Sequence, residues 1–388
     1  MNEVLDHLPP VTSSPEERAT IQTPGPALSG IGLCMSGGGY RAMLFHLGAL
    51  WRLNELGYLP KLDRISSVSG GSITAGLLGL KWSSLTFSAT GVADNFHDLI
   101  AEPLRNFGSK TLDVWAILGG ILGPGSVGDW VAKSYSRHLF STSSLQDLPE
   151  RPRFVINATN LQSGVLWRFS RPYMRDYRVG EVKAPTVKLA VAVAASSAFP
   201  PVLSPVKLQL DHGVFTPATG IDLQMEPYTT NIELTDGGVY DNLGLESVWK
   251  QTATVLVSDA GGRMAAEPKP KHDWIRHSAR VLSVIDNQVR SLRKRQVIDS
   301  FKQGLRKGTY WGIRTNIADY QLGTALNCPF EKTLLLANIA TRLSRINSLD
   351  QEKLINWGYA VSDAAMRRHV DPDLPITAGF PYPKAEVG

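Results

Sequence analysis

Three short glycine-bearing islands carry residue types able to do chemistry. Ser36-Gly37-Gly38-Gly39-Tyr40-Arg41 follows the apolar run Ile31–Met35. Three successive glycines let main-chain N–H groups turn toward one point, and a helix opening behind them adds partial positive charge. Such a cradle suits an anion, either a phosphate or the oxyanion of an ester under attack. Arg41 adds a fixed cation beside it. Ser66-Ser67-Val68-Ser69-Gly70-Gly71-Ser72 lies at a second strand-to-helix turn. A serine nucleophile presented on a strained turn needs small residues two before and two after it. Ser69 has Ser67 and Gly71 there, which meets the steric need without matching the literal G-x-S-x-G. In Thr235-Asp236-Gly237-Gly238-Val239-Tyr240-Asp241-Asn242, after Ile232–Leu234, the Asp236 carboxylate ends a short strand. Each island taken singly also reads as an ordinary turn.

Two other chemistries compete for these residues. Gly37-x-Gly39-x-x-Ala42 fits the dinucleotide-binding fingerprint, with Glu55 and Asp63 near the distance of its ribose-binding acid. That acid should end the second strand, whereas Asp63 precedes it and the strand's end delivers Ser69. A Ser-Asp-His triad would draw on His272, His277 or His369, which follow Asp236 in α/β-hydrolase order. None of the three sits in a glycine-flanked loop, and residue types alone leave a triad open. His46, on the first expected helix, reads as a packed, hydrogen-bonded structural residue, and Asp241 and Asp259 as structural carboxylates.

The elements that must hold these islands follow from hydrophobic spacing. Ile31–Met35 predicts a buried strand. Met43, Leu44, Leu47, Leu50 and Trp51 recur at helical spacing over Tyr40–Leu56, with Gly57 as the stop. Ile65–Val68 predicts a second strand and Gly70–Leu80 a helix of small residues behind it. This opening belongs to an α/β fold with a parallel sheet. Phe154–Thr159 and Thr254–Ser258 predict further buried strands, and Leu189–Ala195 a helix running into Phe199-Pro200-Pro201. Over Ala279–Arg306, Leu282, Ile285, Val289 and Leu292 alternate with Arg290, Arg293, Lys294 and Arg295 at helical spacing. That pattern fits a core-packed helix with a solvated basic face, or a surface for anionic membrane or an anionic regulator. Val114–Leu122 is uncharged and about half a membrane span long; it reads as a core segment, or as a lid or an interfacial wedge.

An apolar fraction of 43% excludes wholesale disorder. At about 150 residues per domain, 388 residues would make two or three domains. Yet the only boundary visible follows the polar, proline-punctuated arm Met1–Leu28. A net charge of +5, widely spread, is too small for a nucleic-acid polymer and favours contact with anionic lipid. Cys34 and Cys328 cannot form a disulfide framework or a zinc site, so the chain reads as reduced and cytosolic. The arm has no apolar core of a secretory signal. Ile65–Leu80 and Leu189–Pro205 are too short and too rich in Ser, Gly or Pro for transmembrane helices.

In this order the islands resemble the patatin-like phospholipase family, including its cytosolic phospholipase A relatives. Ser-Gly-Gly-Gly-Tyr-Arg-Ala (36–42) resembles the family's oxyanion glycine loop in its arginine-bearing variant. Val-Ser-Gly-Gly-Ser (68–72) is similar to its nucleophile elbow, with Ser67 where most members carry Gly, and Asp-Gly-Gly (236–238) to its aspartate motif. Asn-Ala-Thr-Asn-Leu-Gln-Ser-Gly (157–164) and Ala-Ser-Ser-Ala-Phe-Pro-Pro (195–201) are similar to intervening family blocks. The resemblance runs from about Gly30 to Gly262.

It implies a three-layer α/β/α fold with a mixed, mostly parallel central sheet. Residues 29–388 would form one catalytic domain, with a core over 30–262 and a helical C-terminal part over 263–388, behind the arm 1–28. It further implies a serine acyl hydrolase that releases fatty acids from glycerophospholipids without a histidine. Ser69 and Asp236 would be the catalytic dyad, passing through an acyl-enzyme. Gly37, Gly38 and Gly39 would form the oxyanion hole, and Arg41 would pair with a substrate phosphate or support the glycine loop. No metal or organic cofactor is expected. The expected partners are phospholipid and, peripherally, an anionic membrane, with a cytoplasmic location. Three alternatives stay open: an effector gated by a cyclic nucleotide in phage defence, which would add a small anionic regulator, a Ser-His-Asp α/β-hydrolase esterase, and a non-enzymatic lipid-binding protein.

Overall fold

The computed structural model describes residues 29–112, 127–200 and 203–388. The arm 1–28, the run 114–122 and Pro201 lie outside the described residues. The strands are β1 (Ile31–Met35), β2 (Leu62–Val68), β3 (Arg153–Asn160), β4 (Leu166–Phe169), β5 (Tyr173–Asp176), β6 (Gly180–Lys183), β7 (Val206–Gln209), β8 (Asn231–Asp236), β9 (Thr254–Asp259) and β10 (Lys307–Gly312). The α-helices are α1 (Gly39–Glu55), α2 (Gly70–Lys81), α3 (Glu102–Gly108), α4 (Val127–Tyr135), α5 (Leu189–Ser196), α6 (Gly238–Asp241), α7 (Glu246–Trp249), α8 (Trp274–Lys302), α9 (Phe330–Ala337) and α10 (Ser348–His369).

Alternation within the short apolar runs decides which way each strand faces. In β1, Leu33 and Met35 enter the main core while Cys34 enters a second cluster on the other face. In β9, Leu256 joins the main core, and Val255 and Val257 join the second. A strand apolar on both faces can only be a central strand covered by helices on each side. The result is a three-layer α/β/α architecture around a mixed sheet of order β10-β9-β1-β2-β3-β4-β5-β6, with β8 and β7 joined through β3. From β10 to β3 the pairing is parallel; beyond β3 it is antiparallel.

The expected elements around the islands are present with ends moved by a few residues. The basic helix differs more. It begins at Trp274, because the Asp273 side chain accepts the Arg276 N–H at 3.0 Å and caps it. It stops at Lys302 rather than at Arg306, and Gly304, at φ 68°, reverses the chain into the edge strand β10. The antiparallel strands β4 to β6 carry weak apolar alternation and are not evident from spacing.

Helix α10 holds α1 in place. A Cβ at Gly48 would lie 1.9 Å from the Ile355 carbonyl oxygen, and one at Gly358 would lie 1.9 Å from that of Phe45. The two backbones therefore touch, and a buried Arg52–Asp363–Arg367 group, at 2.8 and 2.7 Å, locks the same pair of helices. Since α1 opens at Gly39, this packing fixes the glycine loop.

Candidate active site

Strand β3 outruns β2, and that difference in length builds the site. Pairing of β2 with β3 ends at Val68 opposite Asn157, and the next rung of β3, Ala158, is taken by Asp236 at the end of β8. β2 runs parallel to β3 and β8 antiparallel, so they meet C-terminus to C-terminus on consecutive rungs. Ser69 and Asp236, 236 − 69 = 167 residues apart in the chain, are thereby delivered to one spot.

Ser69 sits at φ 51°, ψ −119°, a left-handed conformation that costs a non-glycine residue about 1–3 kcal/mol. The turn is over-determined around it. Its N–H donates to Ser196 Oγ at 3.0 Å, and Ser72 Oγ lies 2.8 Å from the same oxygen. Ser72 also donates to Ser67 Oγ at 3.0 Å, so Ser67, where glycine was the expected residue, is absorbed as a hydrogen-bond partner. Behind the turn, Asn157 Nδ2 donates to the Ser67 carbonyl and to Ser66 Oγ, both at 2.9 Å.

Asp236 is buried, and the Ser69 side chain lies close enough to its carboxylate to lower its pKa. It also accepts the Gly238 N–H at 2.7 Å. Burial pushes this carboxyl up to about 7, with Asp286 adding to the rise, while the Gly238 amide and Ser69 pull the other way. A carboxyl poised near neutrality can both take and return a proton.

The glycine loop closes over the pair. Gly38 and Gly39 have φ of 146° and 61°, and a Cβ at Gly39 would strike the Arg342 carbonyl oxygen at 2.6 Å. At Gly37 a Cβ would come within 3.1 Å of Ser69 Cβ, so loop and elbow are in contact. The Gly37 N–H donates to the Asn242 carbonyl at 3.2 Å. Of the three expected oxyanion donors, Gly38 and Gly39 have amides without a partner among the described residues; that of Gly37 is occupied.

Arg41 is buried rather than presented to a ligand. Its guanidinium donates to the carbonyls of Ile339 at 2.5 Å, Ala260 at 2.9 Å and Ala337 at 3.4 Å. Burial, with Arg314 and Arg290 nearby, lowers its pKa to about 10, leaving it charged at neutral pH. Of the two expected roles, these contacts match loop support; no phosphate-facing geometry accompanies them.

His46 bridges the Ser36 carbonyl at 2.9 Å and Ser258 Oγ at 2.8 Å, and burial lowers its pKa to about 4. It is a neutral strut beneath the glycine loop. Among the described residues no histidine hydrogen-bonds Ser69 or Asp236: His272 and His277 are exposed around the start of α8, and His369 packs on Tyr320. Asp241 accepts the N–H groups of Leu243 and Glu246, and Asp259 accepts the Gly261 N–H and the Tyr310 O–H. Asp63 bonds the Ile31 N–H, at the far end of the strands from the glycine loop, as a ribose-binding acid would not. Among the described residues no three His, Cys, Asp or Glu side chains converge as metal ligands.

Spacing missed Ser196, Asn157 and Asn242 as supports of the site. The first two lie inside the 195–201 and 157–164 blocks and the third in the aspartate island, so their segments were visible and their roles were not.

A family model described as patatin-like phospholipase matches residues 33–249. Among solved structures, human GIVD cytosolic phospholipase A2 in complex with methyl gamma-linolenyl fluorophosphonate is similar at 13% identity, over 87% of this chain and 58% of that one, with a TM-score of 0.48. Another structure of human GIVD cytosolic phospholipase A2 matches at 15% identity, over 62% and 47%, with a TM-score of 0.40. VipD from Legionella pneumophila matches at 16% identity, over 87% and 66%, with a TM-score of 0.32. The chain thus spans about half the length of the human structures. No curated protein matches.

Proposed function

The chain belongs to the patatin-like phospholipase family, and on that premise we propose that it is a serine acyl hydrolase releasing ester-linked fatty acids from glycerophospholipids. One arrangement carries the reading: a strained Ser69 and a buried carboxyl, pushed up by its burial, delivered to consecutive rungs of β3. Ser69 Oγ attacks the ester carbonyl carbon while Asp236 accepts its proton. The carbonyl oxygen becomes an oxyanion, stabilised by the amides of Gly38 and Gly39 at about 3–4 kcal/mol each. Collapse expels the lysolipid alkoxide, which takes the proton back from Asp236 and leaves an acyl group on Ser69. Water, deprotonated by Asp236, then attacks the acyl carbonyl; the bond to Ser69 Oγ breaks, Asp236 returns the proton to that oxygen, and the fatty acid leaves. Arg41 acts as a positioning residue that ties the glycine loop to the segments after β9 and α9.

A fluorophosphonate probe with mass-spectrometric mapping tests the assignment, alongside fatty-acid release from phospholipid vesicles. Labelling at Ser69 and loss of release in Ser69→Ala are the expected results. Labelling at another residue, or release that survives Ser69→Ala, overturns it.

A further inference from the structure

Helix α8 leaves much of its apolar surface uncovered. Trp274, Val281, Ile285 and Leu292 are separated by seven, four and seven residues, which places them on one stripe of an α-helix. They are 79%, 43%, 53% and 58% exposed, and Leu282, beside the stripe, is 60% exposed. Among its described side chains, the buried ones are Val297 and Ser300, toward its C-terminal end. A soluble domain rarely leaves so continuous an apolar row open to water without a use for it.

The row lies at the edge of the proposed active site. α8 packs against α6, the turn that follows Asp236, and Arg293 pairs with Glu246 at 3.3 Å. Asp286 lies close enough for its charge to act on Asp236. Two further apolar side chains are about half exposed there. Phe199 follows Ala198, whose carbonyl accepts the Asp236 N–H, and Val239 follows Gly238, which bonds the Asp236 carboxylate.

Charge selects the occupant. α8 carries seven Lys or Arg (276, 280, 290, 293, 294, 295, 302) against Asp286 and Asp299; Arg276, Arg280 and Arg293 pair with Asp273, Glu267 and Glu246, and the excess is concentrated from Arg290 onward, around Leu292 of the stripe. A second copy of the helix would bring like charge onto like charge, whereas anionic lipid headgroups complement it. Long basic side chains flanking an apolar stripe can reach headgroups while the stripe enters the acyl boundary. Among the described residues no helix is long and apolar enough to cross a membrane, so this helix would lie in the interface.

We propose that the exposed stripe of α8 from Trp274 to Leu292, with Phe199 and Val239, docks the protein on an anionic lipid surface and sets the Ser69 site against it. The proposal rests on the acyl-hydrolase reading above and adds the element that delivers the substrate.

The test is co-sedimentation of full-length Ser69→Ala protein with phosphatidylcholine vesicles, with and without 30% phosphatidylglycerol. Binding should require the anionic lipid and weaken as salt is raised. Leu282→Glu with Ile285→Glu should lower the partition coefficient by tenfold or more, on the order expected for two apolar side chains kept out of the acyl boundary. Both residues are exposed, and an unchanged melting temperature establishes that the variant is folded. Equal binding to neutral vesicles, no binding, or unchanged binding by the folded variant overturns the proposal. So does a stable dimer by light scattering that dissociates in the variant, which would assign the face to a second copy. Wild-type hydrolysis of a soluble short-chain ester separates the two readings. Docking without hydrolysis defeats the hydrolase, and hydrolysis without docking defeats the docking surface.

Discussion

The carbonyl oxygen of Gly39 lies 2.1 Å from where Gly70 would carry a Cβ. The residue that opens the first helix and the residue after Ser69 are thus in main-chain contact, and the oxyanion cradle and the nucleophile turn form one object. Gly70→Ala should force them apart by an ångström or more. A displacement of that size costs on the order of 100-fold in rate. The measurement is kcat/KM on a soluble short-chain ester; a loss under threefold would show that the two turns move independently.

Asp236→Asn should abolish hydrolysis and stabilise the protein at neutral to alkaline pH. The folded carboxyl lies near 7, above its ordinary value of 3.8. Its favourable contribution is therefore complete below about pH 4 and lost as pH rises through 7. Asn keeps an oxygen for the Gly238 N–H and carries no charge. The gain of the variant over wild type should grow from pH 4 to pH 8, to a few kcal/mol. Denaturant unfolding across that range checks it, and a constant difference would refute it.

The same carboxyl predicts the pH profile of wild-type turnover. Only ionised Asp236 can accept the Ser69 proton, so kcat/KM should rise with pH through about 7 and level off above it. A profile flat between pH 5 and 8 would remove Asp236 as the base.

Ser69→Gly and Ser69→Ala should both be inactive but differ in stability. Alanine keeps the strain of φ 51°, whereas glycine relieves it. Thermal unfolding should place the glycine variant about 1 kcal/mol above the alanine variant. The reverse order would mean that the turn is unstrained.

Arg41→Ala should lower turnover of phospholipid and of a small neutral ester by the same factor, because its guanidinium holds three carbonyls of the loop scaffold. Arg41→Lys should not restore it, since one ammonium lacks the planar fork that reaches all three. A loss confined to phospholipid, with the small ester unaffected, would restore Arg41 to the phosphate role.

Residue types and local spacing determined the two glycine turns, the strands and helices flanking them, and the identities of Ser69 and Asp236 as candidates. These features are local. A tight turn needs glycine, a nucleophile turn needs small neighbours, and an apolar run between turns becomes a buried strand. Tertiary structure alone decided what the candidates face. Arg41 read equally as a phosphate partner or a loop support because spacing cannot show that Ala260, Ala337 and Ile339, some 220 to 300 residues further on, offer it their carbonyls. Gly37 read as an oxyanion donor because the Asn242 carbonyl that occupies its amide belongs to another island. The meeting of Ser69 and Asp236 depends on where β2 stops along β3 and β8 takes over. That register is set by long-range packing, which no stretch of either strand contains.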